Sequence, residues 1–297
     1  MSDETEPDEK DAELQRLFKE YEGADIEKQE ALGAALFGQA GEWAETRTPT
    51  PRDAIQAEFH EARHYGDWLA AEDACRRLIA LADSPMLACR DWGDLAEILE
   101  EQGRIDDAYQ AAQEATKTAR EADILPLITV ALQTEAAWAE KRGDLVHAHA
   151  CLDEGLQRMA QSELNLDWQI ARFQVHQARL FLAQGELEKA SENLKSAEPV
   201  LQPYASSLML AGPLSSLQSW WNVTAQLHIA QGNPTEAKKA AQEALWLARR
   251  IAEFPQLAEY DQRAGLRRSL ERFANLQDSL GEIEAAEAAR QEAQTLK

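Results

Sequence analysis

A glycine followed five residues later by an alanine recurs six times in this chain, and no other feature narrows its folds as much. The glycines are Gly66, Gly103, Gly143, Gly185, Gly232 and Gly281; the alanines are Ala71, Ala108, Ala148, Ala190, Ala237 and Ala286. Seven residues past each alanine stand Leu78, Ala115, Gly155, Ala197, Ala244 and Ala293, and seven before each glycine stand Phe59, Ala96, Ala136, Ala178, Ala225 and Ala274. Small residues at fixed offsets on both sides of a helix-ending glycine let two helices turn sharply and approach closely. A hairpin built this way leaves apolar faces that only another copy can cover. The pattern therefore predicts a stack of helix–turn–helix units.

Trp92–Ala115 is the clearest copy. Trp92, Leu95, Ala96 and Leu99 form one helical stripe, Gln102-Gly103-Arg104 breaks it, and Ala108, Ala112 and Ala115 form a second. The chain is 44% apolar, with alanine and leucine carrying much of that share, which favours an all-α protein. Two domains are expected. Residues 1–50 comprise an acidic tip and an N-terminal helical pair, with Leu14, Leu17, Phe18 and Tyr21 on one helix and Ile26, Leu32, Leu36 and Phe37 on the next. Thr46–Pro51 is a linker in which Thr50 can cap and Pro51 can open the next helix, so that residues 51–297 form the array. Pro199, Pro203, Gly212 and Pro213 predict an extra loop or short helix between the fourth and fifth units, and Pro255 ends the long helix before it.

This pattern resembles the tetratricopeptide repeat: an aromatic residue early in helix A (Trp92, Trp221), a small residue four later, a turn glycine, then alanines on helix B. The glycines lie 37, 40, 42, 47 and 49 residues apart, longer than the family's usual period of about 34. In this the chain resembles the elongated arrays of the family's superhelical sensors and regulators more than its shortest consensus modules. The resemblance implies a right-handed α-solenoid of about six units whose A helices line a concave face. It also implies a non-catalytic scaffold that holds an extended peptide or a partner helix there. A regulator that changes curvature on binding a small peptide is the alternative. On this resemblance the inner positions run from Gln56, His60 and Arg63, through Asp94, Glu97, Glu101, Gln133 and Glu140, to the last three units. The candidate ligand-binding residues are those of the last three: Arg172, His176 and Arg179; Asn222 and Gln226; and Arg268, Arg272 and Asn275. Two readings of them stand. They clamp a carboxylate or an acidic peptide, or each arginine pairs with a glutamate on an adjacent helix. They do not reproduce the Lys/Asn pattern with which the family clamps chaperone tails.

The formal charge of −23 and pI near 4.6 argue against nucleic acid and against an anionic membrane surface as partners. The scattered cysteines, Cys75, Cys89 and Cys151, read as free thiols. With no apolar run long enough to span a bilayer and no signal-peptide pattern, a cytoplasmic protein is expected. His60-Glu61-Ala62-Arg63-His64 spells H-E-x-x-H, the spacing of a zinc hydrolase helix. Yet the repeat demands a turn immediately after it, no edge strand is expected, and a third ligand would have to come from Glu72 or Asp73 on the returning helix; a zinc hydrolase built on His60, Glu61 and His64 is the remote alternative. His147 and His149, two apart on a helix, are poor ligands as a pair, and His228 falls on a core stripe. No cofactor and no metal is expected. The tryptophans at 43, 68, 138, 168, 220 and 246 are expected in cores, except that adjacent Trp220 and Trp221 should not both fit the same one, so one of them should look into the groove or onto a partner. Self-association through Leu14, Leu17 and Phe18 is left open.

Overall fold

The computed structural model describes residues 50–164, 166–206, 211–254 and 259–296. The N-terminal helical pair, with Leu14, Leu17, Phe18 and Trp43, lies outside them, as do Pro255 and Gln256. Among the described residues there are twelve α-helices and no strand, so the all-α expectation holds. They alternate as helices A and B of six hairpins: α1 (Pro51–Tyr65) with α2 (Trp68–Ala80), α3 (Pro85–Glu101) with α4 (Ile105–Ala122), and α5 (Leu125–Lys141) with α6 (Leu145–Ala160). Then come α7 (Asp167–Ala183) with α8 (Leu187–Leu201), α9 (Ala211–Ala230) with α10 (Pro234–Ala252), and α11 (Glu259–Ser279) with α12 (Ile283–Gln294). Of the residues expected to break the chain between the fourth and fifth hairpins, only Pro203 lies in the break, in a short 3-10 helix, Gln202–Ser206. Pro199 is inside the last turn of α8, and Gly212 and Pro213 stand in the first turn of α9, where a proline's missing N–H costs no helical bond.

Each hairpin turns at its predicted glycine. All six have positive φ, between 69° at Gly66 and 79° at Gly143, a conformation that costs glycine nothing and any other residue energy. In every hairpin the N–H after the glycine donates to a carbonyl five residues back, as in Arg104 to Leu99 and Glu186 to Phe181. This is the Schellman closure of helix A. Thr50 and Asp53 form a reciprocal capping box ahead of Pro51, as the linker predicts.

The small-residue register is the packing seam. Ala71, Ala96, Ala108, Ala136, Ala148, Ala178, Ala190, Ala225, Ala237, Ala274 and Ala286 are all completely buried, and the other positions of the pattern are buried too. A larger side chain there would push the helices beyond the roughly 8–10 Å at which packed helices cross.

The chain divides into two compact units. The first takes Thr48–Ser162 with His176–Ala190, and the second takes Glu163–Val175 with Ser191–Lys297. Within each, charged pairs recur in fixed register. The turn of one hairpin reaches back to helix B of the one before: Arg104 to Glu72 (2.8 Å) and Arg142 to Asp106 (2.8 Å) in the first unit, Glu282 to Lys238 (2.8 Å) in the second. An arginine seventeen residues past one turn glycine meets a glutamate eleven past the next, as Arg120–Glu154 (2.6 Å) and again as Arg249–Glu292 (2.7 Å). These exposed pairs add little free energy each. Their recurrence at the same positions shows that successive hairpins pair at one offset within each unit.

Candidate functional site

The A helices of the first unit carry a second repeated contact. The residue three before one turn glycine bridges the residues nine and six before the next. Arg63 of α1 approaches Asp94 (4.0 Å) and Glu97 (3.4 Å) of α3. Glu140 of α5 takes His176 (3.0 Å) and Arg179 of α7, whose guanidinium lies 2.7 Å from His176 Nε2. The register is the same and the charges are inverted, with different electrostatic results. Burial and then the neighbouring Glu97 push the Asp94 carboxyl up to about 6, against the opposing pull of Arg63. Burial also pushes Glu140 up, but the bonds from His176 and the charge of Arg179 outweigh it and hold the carboxyl below its ordinary value. Of the predicted ligand-binding residues, then, His176 is buried and both it and Arg179 are engaged by Glu140.

In the second unit, Arg172, Gln226, Arg268, Arg272 and Asn275 are exposed, and Asn222 is half-buried. The residue that would repeat the Glu140 contact in the fifth hairpin is Ile229, which forms no ion pair. Water reaches Arg172, yet the protein around it lowers its pKa by desolvation, and no acid opposes that shift. Arg172 and Arg268 make no salt bridge among the described residues. Gln218 Nε2 donates to Ser269 Oγ (2.9 Å), tying α9 to α11.

The H-E-x-x-H segment stands on α1 with His60, Glu61 and His64 all exposed, and the helix ends at Tyr65. Its imidazoles lie edge-on to Phe59 and Tyr65. The one group of three metal-type donors that converges among the described residues is elsewhere, at Glu135, His147 and Cys151. His147 and His149 do part company, as their spacing requires. His149 goes to Gln184 (3.3 Å) and Phe181, whereas His147 Nε2 meets Glu135 Oε1 (2.7 Å) and Cys151 Sγ (3.4 Å). Burial and then Glu135 push the Cys151 thiol up to about 12, with Arg120 opposing. Cys151 sits one helical turn beyond His147, a spacing visible in the sequence but overshadowed by the histidine pair.

One aromatic expectation needs correction, that for Trp246, whereas Trp220 and Trp221 do have different surroundings. Trp220 is buried, with Nε1 donating to Leu194 O (2.8 Å), and Trp221 packs against Ala225, Ala240 and Ala241. Both find protein because an internal A helix is covered on more than one side, so neighbouring residues about 100° apart can each be packed. Trp246 is 48% exposed, with the Arg250 guanidinium 4.8 Å from its ring centre, rather than lying in a core.

No family model and no curated protein matches the sequence. Solved structures do match. The apo form of RapI aligns at TM-score 0.58, with 10% identity, over 97% of this chain and 98% of that one. NprR in complex with its cognate peptide NprX aligns at TM-score 0.53, with 15% identity, over 96% and 78%. A tetratricopeptide repeat protein from Parabacteroides merdae ATCC 43184 aligns at TM-score 0.43, with 12% identity, over 82% and 93%. The fold is a tetratricopeptide-like helical array.

Proposed function

We propose that this chain is a non-catalytic scaffold that binds an extended peptide or protein segment along the A-helix faces of its second unit. A carboxylate or acidic stretch is the chemistry those faces suit. One contrast carries the reading. The A-helix cations of the first unit, Arg63 and Arg179, are engaged by acids, while Arg172 and Arg268 in the second have no ion pair among the described residues. In a chain of −23, cations left without acids are notable. Guanidinium groups so placed match carboxylates bidentately. The likeness to NprR, solved with a peptide, supports a peptide as the ligand. It equally supports the variant in which the ligand alters the curvature of the array.

Selection from a displayed library of peptides with free C-termini tests this. Peptides that bind the wild-type chain should lose at least about tenfold in affinity to an Arg172→Glu/Arg268→Glu variant, since a hydrogen bond to a charged group contributes about 1.5–3 kcal/mol. Arg76→Glu, on the exposed side of α2, should leave affinity unchanged. Equal binding to all three proteins would move the ligand off these faces.

A further inference from the structure

The third hairpin holds a cluster that peptide binding does not use. Glu135 of α5 is 3% exposed, and its Oε2 is buried with no hydrogen-bond partner among the described residues. Its Oε1 lies 2.7 Å from His147 Nε2 of α6. Cys151 is 2% exposed, and its Sγ lies 3.4 Å from the same nitrogen. Tyr109 of α4 closes one side, its ring edge-on to the imidazole at 5.9 Å, with its hydroxyl accepting from Gln113. Arg120, the nearby cation, is engaged by Glu154. Asp144 caps the start of α6 through the His147 N–H and so fixes where the imidazole begins.

The protons available to the cluster do not satisfy all of its polar atoms. A ring nitrogen has either one N–H or one lone pair, so Nε2 serves one neighbour. If it donates to Glu135, the thiol faces an N–H. If it accepts from the thiol, the carboxylate faces a lone pair at 2.7 Å. In both cases the second carboxylate oxygen stays buried and unbonded, a costly arrangement in a low-dielectric setting. A single dication takes a lone pair from the imidazole and the thiolate and, bound across both carboxylate oxygens, satisfies Oε2 as well. The thiolate and carboxylate together balance its charge.

We infer that Glu135, His147 and Cys151 form a binding site for a zinc-class divalent cation, which clasps α5 to α6 and leaves one coordination position open. The donors are the sulfur, imidazole and carboxylate set that such ions take, with His147 and Cys151 one turn apart on a single helix. All three ligand atoms lie within 4.8 Å of one another, close to the spacing of ligands about 2.0–2.3 Å from a shared ion. The Cys151 thiol releases its proton to solvent as the metal–sulfur bond forms. His147 is half-buried, so the ion has a route from solvent and the fourth position is open to water.

The reduced, chelator-treated full chain titrated with Co(II) and then Zn(II) tests the site. One Co(II) per chain should bind with a near-ultraviolet thiolate-to-metal charge-transfer band, which Zn(II) abolishes by displacement. Cys151→Ser should remove the band, and His147→Gln, at a ring that water already reaches, should weaken Co(II) binding at least about tenfold. Cys89→Ser, His149→Gln and His60→Gln should leave it unchanged. Circular dichroism checks the fold of each variant. A folded wild-type chain that shows no thiolate band, or a band that survives Cys151→Ser, overturns the site. The peptide-binding reading is untouched by either result.

Discussion

At the scale of single residues, the inverted contacts of Arg63 and Glu140 make opposite predictions about pH. One cation shared between Asp94 and Glu97 under-compensates two acids, whereas Glu140 has the Arg179 cation and a hydrogen bond from His176 to itself. Asp94 has a folded value of about 6, so the native state binds more protons than the unfolded one between roughly pH 4 and that value. Its ionised form costs stability at pH 7. Asp94→Asn should therefore raise the stability at pH 7 by about 1–2 kcal/mol, a figure reduced because water reaches part of the carboxyl. That advantage should fade as pH falls through about 6. Glu140 has the opposite sign: its folded value is depressed, so its contribution is complete above about pH 4.3 and is lost as pH falls through the lower folded value. Glu140→Gln should cost about 2 kcal/mol at pH 7, and the gap should persist at pH 5 and close only in stronger acid. Urea titrations at pH 7, 5 and 3 separate the two, and parallel curves for both variants would refute the assignment. These contacts also mark what the sequence leaves hidden. That Arg172, His176 and Arg179 share a helical face is plain from their spacing. That Glu140 claims the last two depends on which helix lies alongside and at what offset, which no single helix encodes. The Glu135, His147 and Cys151 cluster is hidden for the same reason, because Glu135 comes from the neighbouring helix.

At the scale of the element, the turn is the legible part. A positive-φ glycine ending helix A and a buried alanine five residues on are both written in the residue types themselves, so six hairpins can be placed by number. The 3-10 helix after α8 is one of two readings the sequence leaves open there, loop or short helix, since prolines mark a break more clearly than the geometry of the chain beyond it. Two glycines with open space around a hypothetical Cβ separate backbone strain from steric clash. Gly143 has φ +79° and Gly93 lies within α3 at ordinary helical φ, and neither would bring a Cβ within 4 Å of another atom. Gly143→Ala should thus cost roughly 1–2 kcal/mol from conformation alone. Gly93→Ala should add about 0.5–1 kcal/mol by restricting the unfolded chain. Thermal midpoints moving in opposite directions confirm the assignment of the turn; a shared direction would mean that the hairpin tolerates another geometry.

At the scale of the whole molecule, an array in which each hairpin meets only its neighbours has stability that is a sum of local parts. Its ends should therefore open before its middle. The last hairpin is weak for three independent reasons. α12 packs chiefly against α11, while α4 packs against both α3 and α5. Its buried residues are Ala286, Ala289 and Ala293, which remove little apolar surface from water. Beneath it, Gln277 is completely buried with both amide atoms lacking hydrogen-bond partners among the described residues, where the second hairpin has Leu99. An unmet buried polar group costs about 1–3 kcal/mol. The exposed Glu284, Glu287, Gln291 and Gln294 let α12 end the described array against water, but they do nothing to hold it down. Native-state hydrogen exchange should show α12 amides opening at a free energy several kcal/mol below those of α4, and Gln277→Leu should narrow the difference. Equal protection of α4 and α12 would mean that the chain unfolds as one cooperative block, and that the hairpins support one another over a longer range than contact alone provides.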